Sequence, residues 1–131
     1  MKTLLVLEDE ALVMRLFLHV LRDYTLLEAT TAEQALRLVA DHACQIDLLV
    51  ADVALPTKSG IYVALLLRAQ IPSLPVILTS GYPLSRGDSA YLESLDSNSV
   101  VMLQKPFQPE VLLNAVRQLI GAPWSSAAAP E

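Results

Sequence analysis

Short runs of consecutive apolar residues alternate along this chain with longer stretches in which apolar residues recur at helical spacing. The runs cover residues 4–7, 26–27, 48–51, 76–78 and 100–103. Continuous apolarity is typical of strands that are covered on both faces, as in parallel sheets. The strand–helix order occurs five times, which predicts an α/β fold, a doubly wound (βα)5 three-layer sandwich with right-handed crossovers.

Residues that favour helix starts and helix ends mark the predicted helices. Thr30 and Glu33 have the spacing of a capping box, which predicts a helix opening there. A second helix is predicted over residues 60–68. In the last helix Pro109 lies early, where its missing N–H costs little, and Gly121 follows the end. The apolar stripe that this helix should bury consists of Val111, Leu112, Ala115, Val116 and Leu119.

Two segments are less regular. Residues 80–99 are rich in glycine and serine, and we expect a short helix there with Asp88 as its N-cap, ending near Leu95. We interpret this segment as the mobile part of the fold. The chain is predicted to form one domain over residues 1–121 and a flexible C-terminal tail over residues 122–131.

Composition narrows the class of protein. The chain has 131 residues and a formal net charge of −5, and it contains no basic run. Nucleic acid is therefore not an expected partner. No apolar run approaches the roughly 18 residues that span a bilayer, and we expect a cytoplasmic protein with no membrane partner. Cys44 is the single cysteine and is predicted to be a small buried hydrophobe.

Acidic side chains follow two of the predicted strands. Glu8 and Asp9 follow the first, and Asp52 follows the third. In a flavodoxin-like parallel sheet of order 2-1-3-4-5 these strands are neighbours, so the carboxylates converge. Two such charges about 4 Å apart repel by roughly 4 kcal/mol at an effective dielectric near 20. Either a carboxylate takes up a proton or a cation lies between them, and a hard divalent cation such as Mg²⁺, bound also by a loop carbonyl after Asp52, is the favoured answer.

Two further strands end in polar groups suited to phosphate chemistry. Thr79 closes the fourth strand with a hydroxyl, and Lys105 follows the fifth with a mobile cation. Together with the acids and a metal, these groups describe a site for a transferring phosphoryl group. In that site Asp52 is the predicted nucleophile, which would form an aspartyl phosphate.

Four motifs carry a resemblance to a known family. They are "LEDE" at residues 7–10, "DVALP" at residues 52–56 with Gly60 eight residues after Asp52, "ILTS" at residues 77–80 and "KPF" at residues 105–107. In this order, at strand ends, they resemble the receiver domain of response regulators, the CheY-like family of two-component signalling. The resemblance covers about residues 3–120.

The resemblance implies roles for the site residues. Asp52 would accept a phosphoryl group from a histidine kinase or a histidine phosphotransfer protein, and an unknown downstream protein would read the result. Lys105 and Thr79 would hold the phosphoryl oxygens. The implied Mg²⁺ ligands are Asp9, Asp52, the carbonyl of Ala54 and, through a metal-bound water, Glu8. The resemblance also implies a cis Lys105–Pro106 bond. No reaction on an external substrate is expected beyond self-phosphorylation and self-dephosphorylation.

The chain departs from the family three residues before Lys105, where Met102 replaces the usual aromatic. The ordering of residues 80–99, rather than the movement of a ring, is therefore one hypothesis for the switch. A phosphorylation-independent interaction module with a receiver fold is the alternative function. A third hypothesis, a magnesium-dependent phosphohydrolase, needs an acid where this chain has Ala54. Glu10 is interpreted as a first-turn acid of the next helix.

The first predicted helix has an unusually narrow polar stripe, formed by Arg15, His19 and Arg22. Its other residues are nearly all apolar, and by helical angle Leu12 and Leu18 should be partly exposed. Extra burial against the last helix is one explanation. A docking face for the helices of a phosphodonor is the other, and then Leu18→Glu should slow phosphotransfer from the partner but not from a small phosphodonor.

Overall fold

The computed structural model describes residues 1–42, 45–56, 58–96 and 98–124. Along these ranges five parallel strands alternate with five helices, and the sheet order is β2-β1-β3-β4-β5. The predicted α/β fold and strand order are confirmed. The elements are β1 (Thr3–Leu7), α1 (Ala11–Val20), β2 (Thr25–Ala29), α2 (Ala32–His42), β3 (Ile46–Asp52), α3 (Gly60–Gln70), β4 (Val76–Ser80), α4 (Arg86–Ser94), β5 (Val100–Gln104) and α5 (Pro109–Ile120).

The sheet separates two apolar clusters because successive side chains of a strand point to opposite faces. Leu5 and Leu7 of β1 belong to the cluster beneath α2 and α3, whereas Leu4 and Val6 belong to the cluster beneath α1 and α5. Every residue of β1 and β4 is buried, as continuous apolarity predicts for central strands. The edge strands β2 and β5 are only partly buried, so the prediction of cover on both faces is wrong for them.

Two predicted helix starts are wrong by a few residues. The cap of α2 is formed one residue later than predicted, because the Gln34 N–H donates to the Thr31 hydroxyl at 3.1 Å and the Gln34 side chain accepts from Thr30. The N-cap of α4 is Ser85 rather than Asp88, and it accepts from the Asp88 N–H at 3.0 Å. In both places a neighbouring hydroxyl supplies the same chemistry as the predicted cap.

The last helix begins with Pro109 and is followed by Gly121, as predicted, and Gly121 has a φ of 84°. Three stripe residues are buried and Leu119 is half-buried, but Val111 is 43% exposed, so its predicted burial is wrong. Beyond the helix, Pro123 is buried and its carbonyl accepts from the Lys2 N–H. The predicted domain boundary at residue 121 stays a prediction.

Some predictions fall on residues that the structure does not describe. Cys44 and residues 125–131 of the predicted tail lie outside the described ranges. Within those ranges, no helix combines the length and the apolarity that crossing a membrane requires. The cytoplasmic location stays a prediction.

Candidate functional site

The predicted site residues lie at or just after the carboxyl ends of four neighbouring strands, at one end of the sheet. Asp52 ends β3 and is paired in register with Thr79 of β4, while the Val53 N–H donates to the Thr79 carbonyl at 2.9 Å. Glu8 follows β1, and Lys105 follows β5. Because the strands are parallel, their carboxyl ends meet, which is where functional groups gather in open α/β sheets.

Lys105 joins two of the acids. Its Nζ lies 3.2 Å from Oδ2 of Asp52 and 3.5 Å from Oε1 of Glu8. Burial lowers the pKa of Lys105, but the negative charges of Glu8 and Asp52 outweigh that effect and leave the pKa above its ordinary value. Lys105 is therefore a cation held between two carboxylates, and its side chain is partly open to solvent.

Among the carboxyl groups of the described site, Glu8 has the pKa that departs most from its ordinary value. Its side chain is fully buried, and its pKa is raised from 4.5 to about 7, with burial as the largest cause. A hydrogen bond from the Glu10 N–H and the charge of Lys105 act to lower this pKa, whereas the charges of Asp52 and Asp9 act to raise it. One cation does not balance these acids, so the ionised form of Glu8 remains costly.

The backbone of the following helix approaches Asp52 closely. A Cβ on Gly60 would lie 2.0 Å from the Asp52 carbonyl oxygen, a distance that no side chain tolerates. The Gly60 N–H also donates to the Val53 carbonyl at 2.9 Å. A residue without a side chain is thus required here, which gives the physical reason for the glycine eight positions after Asp52. The Asp52 side chain is held by the loop that follows it, because the Ala54 N–H donates to Oδ1 of Asp52 at 3.2 Å.

Two buried oxygen atoms of the site lack hydrogen-bond partners among the described residues. They are Oγ1 of Thr79 and Oε1 of Glu8. Buried polar groups are paired in most proteins, and unpaired ones often mark a position for a ligand. Both atoms flank Asp52, so the site has hydrogen-bonding capacity that the described residues do not use.

The acids include a group with the spacing of a metal site. Carboxylate oxygens of Glu8, Glu10 and Asp52 all lie within 4.8 Å of one another. Such a set of hard oxygen ligands suits Mg²⁺, and Oε1 of Glu8, which contacts Lys105 at 3.5 Å but accepts no hydrogen bond from the described residues, supports the fit. The exposed side chain of Asp9 is not part of this group, although its charge raises the pKa of Glu8. Asp9 and the Ala54 carbonyl stay predicted ligands.

Glu10 is the site residue to which sequence reasoning gave another role. It occupies the N-cap of α1, but its side chain makes no capping hydrogen bond. Its position two residues after Glu8 was the available signal. Glu10 was predicted instead to be a first-turn acid of α1, because acids are common in first turns for reasons unrelated to metal binding.

Comparison with known proteins identifies the family. The sequence model of the response regulator receiver domain matches residues 4–117. The chain belongs to this family. A receiver domain of two-component signalling is therefore present, and its acids, lysine and threonine lie at the strand ends where the resemblance placed them.

Individual relatives agree with this assignment. The chain is 29% identical over 121 residues to the sensor kinase CckA of Brucella abortus (strain 2308), a match that covers 90% of this chain and 12% of that protein. The chain thus corresponds to a small part of the curated relative. The solved receiver domain of the hybrid histidine kinase CckA is 30% identical, with a TM-score of 0.74, and the match covers 89% of this chain and 97% of that one.

A second solved structure is similar over the same extent. The signal receiver domain of an HD domain-containing protein from Pseudomonas fluorescens Pf-5 is 28% identical. The match covers 90% of this chain and 93% of that chain, with a TM-score of 0.79. The family is thus found in proteins of different kinds, and the site rather than the fold must carry the argument for function.

An apolar groove begins beside the site and follows the seam between α1 and α5. One cavity, of about 370 Å³, is bordered by Leu16 and by Lys105 and its two following residues. A second, of about 310 Å³, shares Leu16 and continues past His19 and Arg22. Leu16 and Leu12 are 42% and 78% exposed. Leu18 is half-buried and packs against the core beneath α1, so the predicted partial exposure of Leu12 and Leu18 is confirmed.

Proposed function

We propose that this chain is a phosphoacceptor receiver in a two-component phosphorelay. Asp52 takes a phosphoryl group from a histidine kinase or a histidine phosphotransfer protein, with Mg²⁺ bound, and the phosphorylated form signals through a protein partner. The observation that carries this proposal is the contact of Lys105 with both Asp52 and Glu8, beside an unpaired buried hydroxyl of Thr79.

The chemical step requires one nucleophile and a leaving group from the donor. A carboxylate oxygen of Asp52 attacks phosphorus, a phosphorus–oxygen bond to Asp52 forms, and the phosphorus–nitrogen bond to the donor histidine breaks. The electron pair of that bond stays with the imidazole, which takes up a proton. Lys105 moves with the negative charge from the carboxylate to the phosphoryl oxygens, and the Thr79 hydroxyl donates to one of them.

The bound cation would neutralise negative charge on the transferring group. Glu8, Asp52 and Glu10 offer the carboxylates for it, and Asp9 and the Ala54 carbonyl are the further ligands implied by the family. The same cation would offset the cost of ionising buried Glu8. Metal binding and a charged Glu8 therefore favour each other.

The groove along α1 and α5 is the docking face that we propose for the phosphodonor. It begins at Lys105, so a helix lying in it would present its histidine to Asp52. Exposed His19 and Arg22 border it and would favour acidic residues flanking the apolar ridge of that helix. Leu18 is a poor probe because it packs against the core, whereas Leu16 lines both cavities.

The proposal is tested with a small phosphodonor. The purified chain is incubated with acetyl phosphate and Mg²⁺, and its intact mass is recorded beside Asp52→Ala and a control at an exposed acid, Asp23→Asn. An adduct of one phosphoryl group on the wild type and on the control, absent from Asp52→Ala and without Mg²⁺, supports the proposal. An adduct that survives Asp52→Ala contradicts it.

A phosphorylation-independent interaction module is the second candidate. The favouring observation is Met102, which lies 37% exposed on β5 where the family usually has an aromatic. Addition of beryllofluoride and Mg²⁺, followed by NMR, separates the two candidates. Resonance shifts spreading from Asp52 into α4 support the phosphoacceptor, while an unchanged spectrum supports the module.

A further inference from the structure

The chain that follows α5 turns back onto the sheet. Gly121 closes the last turn of the helix, because its N–H donates to the Arg117 carbonyl at 2.8 Å. Its φ of 84° lies in the left-handed region, which glycine adopts without a steric penalty. Two residues later Pro123 is buried, and its carbonyl accepts from the Lys2 N–H. The segment after α5 therefore meets the start of the chain just before β1.

Tyr24, the residue before β2, holds this turn with its side chain. Its ring is 4% exposed and belongs to the apolar cluster beneath α1 and α5, so packing fixes its direction. Its hydroxyl donates to the Gly121 carbonyl at 2.9 Å. Burial raises the pKa of Tyr24 above its ordinary value, although hydrogen bonding to Arg117 acts to lower it, and the phenol keeps its proton as a donor. The end of α5 is thus bonded to a buried side chain that is 97 residues away in sequence.

Lys2 joins the same turn to the sheet through its backbone. Its N–H donates to the Pro123 carbonyl, and its carbonyl accepts from the Thr25 N–H at 3.0 Å. The next residue, Thr3, donates its N–H to Oδ2 of Asp47 at 2.8 Å. Hydrogen bonds thus connect the segment after α5 with the amino ends of β1, β2 and β3. Because the strands are parallel, this end of the sheet lies opposite the candidate site.

We propose that residues 121–124 form a strap that closes the amino end of the sheet, with Tyr24 as its anchor. The folded domain then extends to Trp124, beyond the boundary predicted at residue 121. The strap fixes the last turn of α5 to β1 and β2. Because α5 forms one wall of the apolar groove, the strap also holds that wall in place. This inference concerns the fold and does not rest on the proposed function.

Backbone ¹⁵N relaxation of the full chain measures directly whether the strap is fixed. Order parameters at Ala122 and Trp124 should equal those of α5, at about 0.85, because both residues move with the domain. Values below about 0.6 at both residues, which are typical of a flexible tail, would overturn the proposal. This measurement needs no variant and no phosphodonor.

Amide hydrogen exchange followed by NMR tests the anchor. Tyr24→Phe removes only the hydroxyl and should speed exchange of the Lys2 amide by at least about threefold. Gly121→Ala places a Cβ at a positive φ and should speed that exchange by about tenfold or more. The Leu49 amide, which bonds to the Pro75 carbonyl in a buried strand, is the reference for global unfolding. Its rate should rise by a smaller factor than the Lys2 rate in both variants.

Matched variants complete the exchange test. Tyr82→Phe changes a tyrosine that is 77% exposed, and Gly87→Ala changes a glycine inside α4. Both should leave the Lys2 rate unchanged. A wild-type Lys2 rate in both Tyr24→Phe and Gly121→Ala, or an equal rise at Lys2 and Leu49, would overturn the strap. If one of these two variants does not fold, the other variant and the relaxation measurement decide the outcome.

Discussion

Replacing Glu8 by Gln should stabilise the metal-free protein at alkaline pH and not at acid pH. The carboxyl has a pKa of about 7 in the folded protein, against 4.5 as its ordinary value. Below pH 4.5 the group is protonated in both states and imposes no penalty. Between pH 4.5 and 7 the folded state binds more protons than the unfolded state, so stability falls as pH rises.

The size of the effect follows from the difference in pKa. A difference of about 2.5 at about 1.4 kcal/mol for each pH unit corresponds to about 3 kcal/mol of lost stability above pH 7. Because the Glu8 side chain is fully buried, solvent does not screen its charge and the full penalty applies. Gln has nearly the same shape and never ionises, so Glu8→Gln should be more stable than the wild type by up to about 3 kcal/mol at pH 8.

Urea unfolding in EDTA at pH 5 and at pH 8 measures this difference. The exposed Glu28 on β2 supplies the control, and Glu28→Gln should follow the wild type at both pH values. Saturating Mg²⁺ should then stabilise the wild type more at pH 8 than at pH 5, and should stabilise Glu8→Gln less. A Glu8→Gln protein that is no more stable than the wild type at pH 8 would refute the reasoning.

Three further outcomes are expected. Gly60→Ala should destabilise the fold by about 1–3 kcal/mol in urea unfolding, because its Cβ meets the Asp52 carbonyl, whereas Gly87→Ala, whose nearest atom is 3.8 Å away, should not destabilise it. Lys105→Met should slow the reaction with acetyl phosphate by about a hundredfold, as measured by intact mass against time, and an unchanged rate would remove Lys105 from the mechanism. Leu16→Glu should slow transfer from a phosphorylated histidine partner by at least about tenfold and leave the acetyl phosphate rate unchanged, and equal losses from both donors would argue against the groove as a docking face.

The fold could be predicted from sequence because runs of consecutive apolar residues indicate strands that are buried on both faces. Central strands such as β1 must be apolar on both faces, which distinguishes them from loops without knowledge of the packing. The exact starts of the helices were harder to predict, because several hydroxyl and acidic side chains near a helix start can act as its cap. At α4 both Ser85 and Asp88 are suitable cap residues, and the structure has the cap at Ser85.

The site was predictable as a set of residues but not as an arrangement. Strand ends located Asp52, Thr79 and Lys105, because parallel strands bring their carboxyl ends together. The spacing of Glu8 and Glu10 allows their carboxylates to meet, but whether they do depends on side-chain rotamers, so spacing alone could not establish the grouping.

Localising the phosphoryl group tests the central claim most directly. The chain is phosphorylated with acetyl phosphate and Mg²⁺, the acyl phosphate is reduced with borohydride, and the modified residue is identified by tandem mass spectrometry of the peptides. We expect reduction to convert Asp52, and no other acid, to homoserine. Homoserine at Asp9, or 5-hydroxynorvaline at Glu8 or Glu10, with Asp52 unmodified would contradict the assignment of Asp52 as the phosphoacceptor.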